Sequence, residues 1–134
     1  MSVHRSVWIA TADRPAFPTL DGGIDVDVAV VGGGITGLTT AFLLQRDGAR
    51  VAVIEAAHVG AGTTGNTTGK VTSQHGLTYA SLRERHGESK ARQYATANQQ
   101  AIATVAALAE ETSADCGFER APAFVYTCSA GGFA

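Results

Sequence analysis

The chain reads VAVVGGGITGLTTAFLLQRDGARVAVIE from residue 28 to residue 55. Its first four residues form a short apolar run without helical period, and such a run beside glycines predicts a buried parallel strand. Gly32, Gly34 and Gly37 then give the pattern G-x-G-x-x-G. The first glycine permits a tight turn, the second a close approach of a ligand to the backbone, and the third close packing of helix on strand. The stretch therefore predicts the start of a β-α-β unit.

The remainder of the stretch completes the unit. An apolar face predicts a helix from about residue 35 to residue 46, and Gly48 is suited to the position just after its end. Residues 51–54 predict the second strand, and Glu55 follows Gly37 by 18 positions, close to the spacing of a carboxylate that accepts from ribose hydroxyls. The unit thus indicates a dinucleotide, FAD or NAD. An acid at this position disfavours the 2′-phosphate of NADP.

The segment after Glu55 favours FAD over NAD. Residues 60–73 read GAGTTGNTTGKVTS, a run of glycines and polar residues with little to bury. A plain NAD domain usually continues quickly into another helix and strand, and long loops of this kind are uncommon unless they are functional. Small hydroxylated residues and glycines allow backbone N–H groups to converge on phosphate oxygens.

Together these motifs resemble a known family. The glycine pattern, Glu55 and the stretch GTTGNTTGK at residues 62–70 resemble the amino-terminal part of the FAD-dependent oxidoreductases related to D-amino acid oxidase and glycine oxidase. DRPAFP at residues 13–18 and VTSQHG at residues 71–76 resemble one bacterial subgroup, whose members often carry a Rieske iron–sulfur domain at the carboxyl end. The resemblance implies a flavin that accepts a hydride from a carbon next to an amine, so the substrate would be an amine or amino acid.

The resemblance also implies the cofactor-binding residues, position by position. The glycine-rich turn and the start of the helix would lie under the pyrophosphate, with the residues Gly32, Gly33, Gly34, Ile35, Thr36 and Gly37. Glu55 would hold the adenosine ribose, with Ala56 beside the adenine. Thr63 and Thr64 would contact the pyrophosphate from the far side, and Thr68, Gly69 and Lys70 would approach the flavin end. The sequence assigns no catalytic residue and no metal ligand. His75 is the histidine best placed for a role in the site, although a structural role is the simpler interpretation.

Two other functions stay open on sequence alone. One is the NAD-binding domain of a dehydrogenase, and the other is a non-catalytic module that keeps a dinucleotide as a structural ligand. The net charge of −2 gives no electrostatic footprint for nucleic acid. No apolar run approaches the ~18 residues of a membrane span, which predicts a cytoplasmic protein. Cys116 and Cys128 match no zinc or redox spacing and are expected to be unpaired thiols.

The predicted fold class is α/β, a Rossmann-like FAD-binding β-α-β unit with following helices. We expect an extended arm over residues 1–24, attached by Trp8 and Phe17, a partial FAD-binding domain over residues 25–120, and the start of a substrate domain over residues 121–134. The elements expected after the loop are helices at 79–86 and 88–111, separated by Gly87, and a strand at 124–127. Two strands leave the sheet incomplete, so we expect a truncated amino-terminal part of a longer protein. When isolated, this part should be poorly soluble, hold flavin weakly or not at all, and be inactive as an enzyme.

Overall fold

A computed structural model describes residues 5–13, 15–126 and 128 of the chain. The chain forms two compact units, Met1–Gly69 and Lys70–Ala134. The first contains α1 (Val7–Thr11), β1 (Val28–Val31), α2 (Ile35–Arg46), β2 (Val51–Ile54) and a single 3₁₀ turn at Thr64–Asn66. The second contains α3 (Thr78–Glu111). None of the described helices combines the length and apolar character needed to cross a membrane.

The first unit is built around the predicted β-α-β arrangement. β1 and β2 pair in parallel, with Val28 opposite Val51 and Val31 opposite Ile54. The Asp27 carboxylate accepts from the Arg50 guanidinium at 2.9 Å and from the Arg50 backbone N–H at 2.8 Å, which ties the two strands together where they begin. These hydrogen bonds from Arg50 hold the pKa of Asp27 below its ordinary value. The α/β class and both strands are confirmed.

The helix between the strands also follows the prediction. α2 spans the expected residues and buries Ala41. After it, Gly48 adopts a φ of 93°, and the Ala49 N–H donates to the Leu44 carbonyl at 3.0 Å. A left-handed residue just past a helix end is the usual way to satisfy the last carbonyls, and glycine adopts it without strain.

The expectation that β1 is a buried strand is wrong in part. Val28 and Val30 are half-buried, whereas Ala29 and Val31 are exposed, Val31 at 84%. The strand has α2 packed on it and β2 as its neighbour among the described residues, so only one of its faces is covered. Ala41 and Ala91 are the buried apolar residues of the described part of the chain.

The amino-terminal arm was predicted to be extended, but part of it is helical. Ser6 begins α1, because its side-chain oxygen accepts from the Ile9 N–H at 3.2 Å and caps the first turn. Trp8 attaches this segment to the loop that follows Glu55, as predicted, through a hydrogen bond to the Thr67 carbonyl at 2.8 Å. Phe17 does not attach the arm, since its side chain is 69% exposed.

In the second unit the helices are confirmed and the strand is not. α3 is interrupted at Gly87, where φ is 81° and ψ is 166°, so it consists of the two predicted helical segments. Phe124, Val125 and Tyr126 pair with no strand and are highly exposed. They follow the apolar pattern of a strand, but a strand also needs a hydrogen-bonded neighbour, and none of the described residues forms one with them. Thr127, the last residue of the predicted strand, lies outside the described residues.

Candidate cofactor site

A cavity of about 950 Å³ lies at the carboxyl ends of β1 and β2. This is the position at which open parallel sheets bind ligands. Four pieces of the chain surround it: the end of β1, the glycine-rich turn with the first turns of α2, Glu55, and the loop after β2. The lining residues are Val30, Val31, Gly32, Gly34, Ile35, Thr36, Gly37, Thr40, Glu55, Ala61, Gly62, Thr63, Thr64 and Thr67.

The amino-terminal end of α2 opens directly on this cavity. Gly34 precedes the helix and supplies no side chain to cap it. The Ile35 N–H instead donates to the Thr64 hydroxyl oxygen at 2.9 Å. A Cβ on Gly34 would come within 3.2 Å of the same oxygen, so the glycine leaves room for this approach. The free N–H groups of a first helical turn, together with the helix dipole, favour an anion at this point.

The third glycine of the pattern is required by packing. A Cβ on Gly37 would overlap the carbonyl oxygen of Gly32 and would lie 3.3 Å from a methyl carbon of Val30. A side chain there would push α2 away from β1. Gly37 therefore fixes the helix start against the end of the strand.

Glu55 closes the opposite side of the turn. Its Oε2 accepts from the Gly33 N–H at 2.7 Å, and its Oε1 accepts from the Ala57 N–H at 2.9 Å. The hydrogen bond from Gly33 is the main cause that lowers the pKa of Glu55, followed by the one from Ala57. The carboxylate is therefore ionised at neutral pH. Each oxygen keeps a lone pair for a further donor, such as a ligand hydroxyl.

The loop Gly60–Gly69, called here the threonine loop, forms the remaining wall. The Gly60 N–H donates to the Gly33 carbonyl at 2.9 Å, which attaches the start of the loop to the glycine-rich turn. Within the loop the Gly65 N–H donates to the Gly60 carbonyl at 2.9 Å, and the Asn66 side-chain amide donates to the Gly62 carbonyl at 3.0 Å. These bonds curl the loop so that three of its threonines line the cavity: Thr63, Thr64 and Thr67.

The structure brings most of the predicted residues together. Those that line the cavity are Gly32, Gly34, Ile35, Thr36, Gly37, Glu55, Thr63 and Thr64. Gly33 is buried behind them and contributes its N–H to Glu55. Ala56 is exposed next to Glu55, and Thr68 and Gly69 follow the lining part of the threonine loop without lining it. Lys70 belongs to the second compact unit.

Sequence reasoning assigned no site role to six lining residues: Val30, Val31, Thr40, Ala61, Gly62 and Thr67. Thr40 could have been found, because it stands four positions after Thr36 and residues at that spacing share a helix face. Thr67 was missed in favour of Thr68, since the orientation of each threonine depends on the 3₁₀ turn at Thr64–Asn66. The loop composition gives no sign of that turn.

His75 has its contacts within the second unit. Its Nδ1 lies 2.7 Å from the Tyr94 hydroxyl and its Nε2 lies 3.0 Å from the Thr72 carbonyl oxygen. The ring also packs against Tyr79 and Tyr94, with ring centroids 6.4 Å and 5.6 Å away. These contacts give His75 a structural role, joining the segment before α3 to the helix.

This arrangement defines the class of protein. It is a β-α-β fold in which the glycine-rich turn, the amino-terminal end of α2 and the Glu55 carboxylate line one cavity. The family described as FAD dependent oxidoreductase (DAO) matches residues 27–132. The chain belongs to that family, and the resemblance to the D-amino acid oxidase-like oxidoreductases is confirmed.

Two curated relatives extend the comparison. A Bacillus subtilis (strain 168) protein named as the Rieske 2Fe-2S iron–sulfur protein YhfW is 42% identical over 122 residues, which cover 91% of this chain and 24% of that protein. A Rhizobium meliloti (strain 1021) protein named as the oxidoreductase OrdL is 48% identical over 44 residues, 33% of this chain and 10% of that protein. The chain thus spans about a quarter of the length of the first relative. No solved structure matches the chain significantly.

Proposed function

We propose that this chain provides the site for the ADP half of FAD in a FAD-dependent oxidoreductase. The observation that carries the proposal is the single cavity in which the start of α2, the ionised Glu55 and the hydroxyls of the threonine loop meet. A dinucleotide presents a pyrophosphate anion and ribose hydroxyl donors, and the cavity offers the complement of each. Membership of the family supports FAD rather than NAD as the dinucleotide.

The chemical types of the lining residues support this proposal. The Thr36 N–H and the hydroxyls of Thr63 and Thr64 would hold the pyrophosphate, and Gly34 would let it approach the backbone. Ile35 would lie under the pyrophosphate and orient Thr64, to which its N–H donates. Glu55 would accept from the ribose, because its ionised oxygens keep free lone pairs. The described lining contains no Lys or Arg, so backbone and hydroxyl donors together with the helix dipole would neutralise the phosphates.

The rest of the proposed site follows from the resemblance. Ala56 would lie beside the adenine, and Thr68, Gly69 and Lys70 would approach the flavin end, where Lys70 would add a positive charge. FAD, when bound, supplies the hydride acceptor, and the substrate would be an amine or amino acid. The name of the Bacillus relative supports a Rieske iron–sulfur domain in the full-length protein.

Loading the protein with FAD tests the cofactor. Because the isolated chain should hold flavin weakly, FAD is titrated at equilibrium, and we expect it to bind saturably and to shift the flavin absorbance bands in the blue and near ultraviolet. Saturable binding of NAD with no binding of FAD would contradict the proposal. The amine-oxidising activity is tested in the longer protein, where bound flavin that no amine or amino acid reduces under anaerobic conditions would leave the FAD site standing and refute that activity.

A further inference from the structure

We infer that the short amino-terminal helix α1 positions the threonine loop for FAD, with Trp8 as the principal positioning residue. The inference rests on the proposed FAD site and goes beyond it, because α1 does not line the cavity. It concerns a segment that precedes the β-α-β unit and contacts the loop through residues that are far apart in sequence, such as Trp8 and Thr67, which are 59 positions apart.

The threonine loop cannot hold its shape by packing alone. It reads GAGTTGNTTG and contains no side chain larger than Thr or Asn. Glycine-rich backbone has the greatest conformational freedom of all, and side chains of this size bury little apolar surface. On the cavity side the loop is attached through the Gly60 N–H and the Thr64 hydroxyl. Its second half needs a further support.

The contacts of α1 and of its N-cap residue Ser6 supply that support at three residues of the loop: Gly65, Thr67 and Gly69. The Ser6 hydroxyl donates to the Gly65 carbonyl, and the Trp8 indole N–H donates to the Thr67 carbonyl at 2.8 Å. The indole ring also covers Gly69, where an added Cβ would approach within 2.6 Å of a ring carbon. Ile9 packs on Gly65, where an added Cβ would lie 3.1 Å from its side chain.

The two carbonyls that accept from Ser6 and Trp8 lie close in sequence to the cavity-lining threonines. Gly65 follows Thr64 directly, and Thr67 itself lines the cavity. Thr67 therefore has two contacts: its carbonyl accepts from Trp8 of α1, and the residue also lines the cavity. Release of Trp8 would leave the backbone between Gly65 and Gly69 free to rotate, so a smaller fraction of molecules would present the threonines correctly. Apparent affinity falls in proportion to that fraction.

The test compares FAD affinity and amide hydrogen exchange in four variants of the full chain. Trp8→Phe keeps the ring and removes the N–H, Trp8→Ala removes both, and Ser6→Ala removes the hydroxyl. Phe17→Ala is the matched control, an aromatic residue of the same arm that is 69% exposed. We expect Trp8→Ala to raise the Kd for FAD about tenfold. Trp8→Phe and Ser6→Ala should each raise it roughly threefold, as expected for one hydrogen bond, and Phe17→Ala should leave it unchanged.

Amide exchange separates a positioning role from a general loss of stability. We expect exchange to accelerate in residues 60–69 of the Trp8 variants while α2 keeps its protection. Equal acceleration in α2, or Trp8 variants that bind FAD as tightly as Phe17→Ala, would overturn the inference. If Trp8→Ala does not fold, Trp8→Phe and Ser6→Ala decide in the same way. If the unaltered chain retains no FAD, the proposed function fails, and exchange of the loop without flavin still decides the role of Trp8.

Discussion

Gly37 illustrates how much of this site depends on the absence of a single carbon atom. A Cβ there would overlap the Gly32 carbonyl oxygen, which is backbone and cannot move without opening the turn. We expect Gly37→Ala to lower the free energy of unfolding by about 1–3 kcal/mol, the usual effect of overpacking, and to weaken FAD binding. Urea denaturation measures the first effect. Gly23→Ala is the control, because a Cβ on Gly23 meets nothing within 4 Å; equal stability of the two variants would refute the steric argument.

Glu55 gives the site a predictable response to acid. Its pKa is lowered in the folded state from an ordinary value of 4.5, chiefly by the Gly33 N–H. The ionised carboxylate therefore stabilises the fold above pH 4.5, and this contribution disappears as the pH falls through the lowered pKa. We expect the free energy of unfolding to fall more steeply below pH 4.5 in the unaltered chain than in Glu55→Gln. If the free energy of unfolding, measured by urea denaturation at each pH, has the same pH dependence in both proteins, the Gly33 hydrogen bond is not formed.

At the scale of elements, the hydrogen bonds of His75, in the segment before α3, predict which of its ring nitrogens carries the hydrogen. The Thr72 carbonyl oxygen can only accept, so the neighbouring Nε2 of His75 must carry the hydrogen. Nδ1 of the neutral ring then accepts from the Tyr94 hydroxyl. We expect nitrogen NMR to report the Nε2–H tautomer, and Tyr94→Phe to lower the stability of this unit by about 1 kcal/mol. Tyr126→Phe, at an 87% exposed position, serves as control; an Nδ1–H tautomer would contradict the arrangement.

The elements that the sequence predicted correctly are those specified by local rules. The bounds of β1, α2 and β2 follow from apolar runs and glycines, and the break at Gly87 follows from its φ of 81°. The elements that were missed depend on distant partners. Ser6 could have indicated the start of α1, but nothing near it shows that Trp8 binds the Thr67 carbonyl. Phe124 has the pattern of a strand, but neither of the two described strands pairs with it.

The same contrast explains what could be predicted of the site. The glycines of the turn and Glu55 have a characteristic spacing in dinucleotide-binding β-α-β units. Their positions could therefore be assigned from the sequence alone. The threonines depend on loop geometry, and Thr67 rather than Thr68 lines the cavity because of the 3₁₀ turn before it. Hydroxyl and backbone donors can be predicted as a class, whereas the particular residue requires the fold.

For the molecule as a whole, the thin core predicts low stability. Among the described residues, Ala41 and Ala91 are the buried apolar ones, while Val31, Leu77 and Phe124 are more than four-fifths exposed. Because apolar burial is the main stabilising contribution, we expect a free energy of unfolding below about 5 kcal/mol, the lower end of the usual range. FAD at a hundred times its Kd should add about 2.7 kcal/mol. A urea transition that shows high stability without ligand, and no change with FAD, would contradict this.

The central claim is that the cavity of the first unit binds the ADP half of FAD, and mapping of amide chemical shifts by NMR tests it most directly. Titration with FAD, and separately with ADP, should shift the amides of residues 32–37, Glu55 and residues 63–67, and FAD alone should produce further shifts beyond that set. Comparable shifts of the first set by both ligands would confirm the site. Absence of shifts there with either ligand, or shifts confined to residues 70–126, would contradict it.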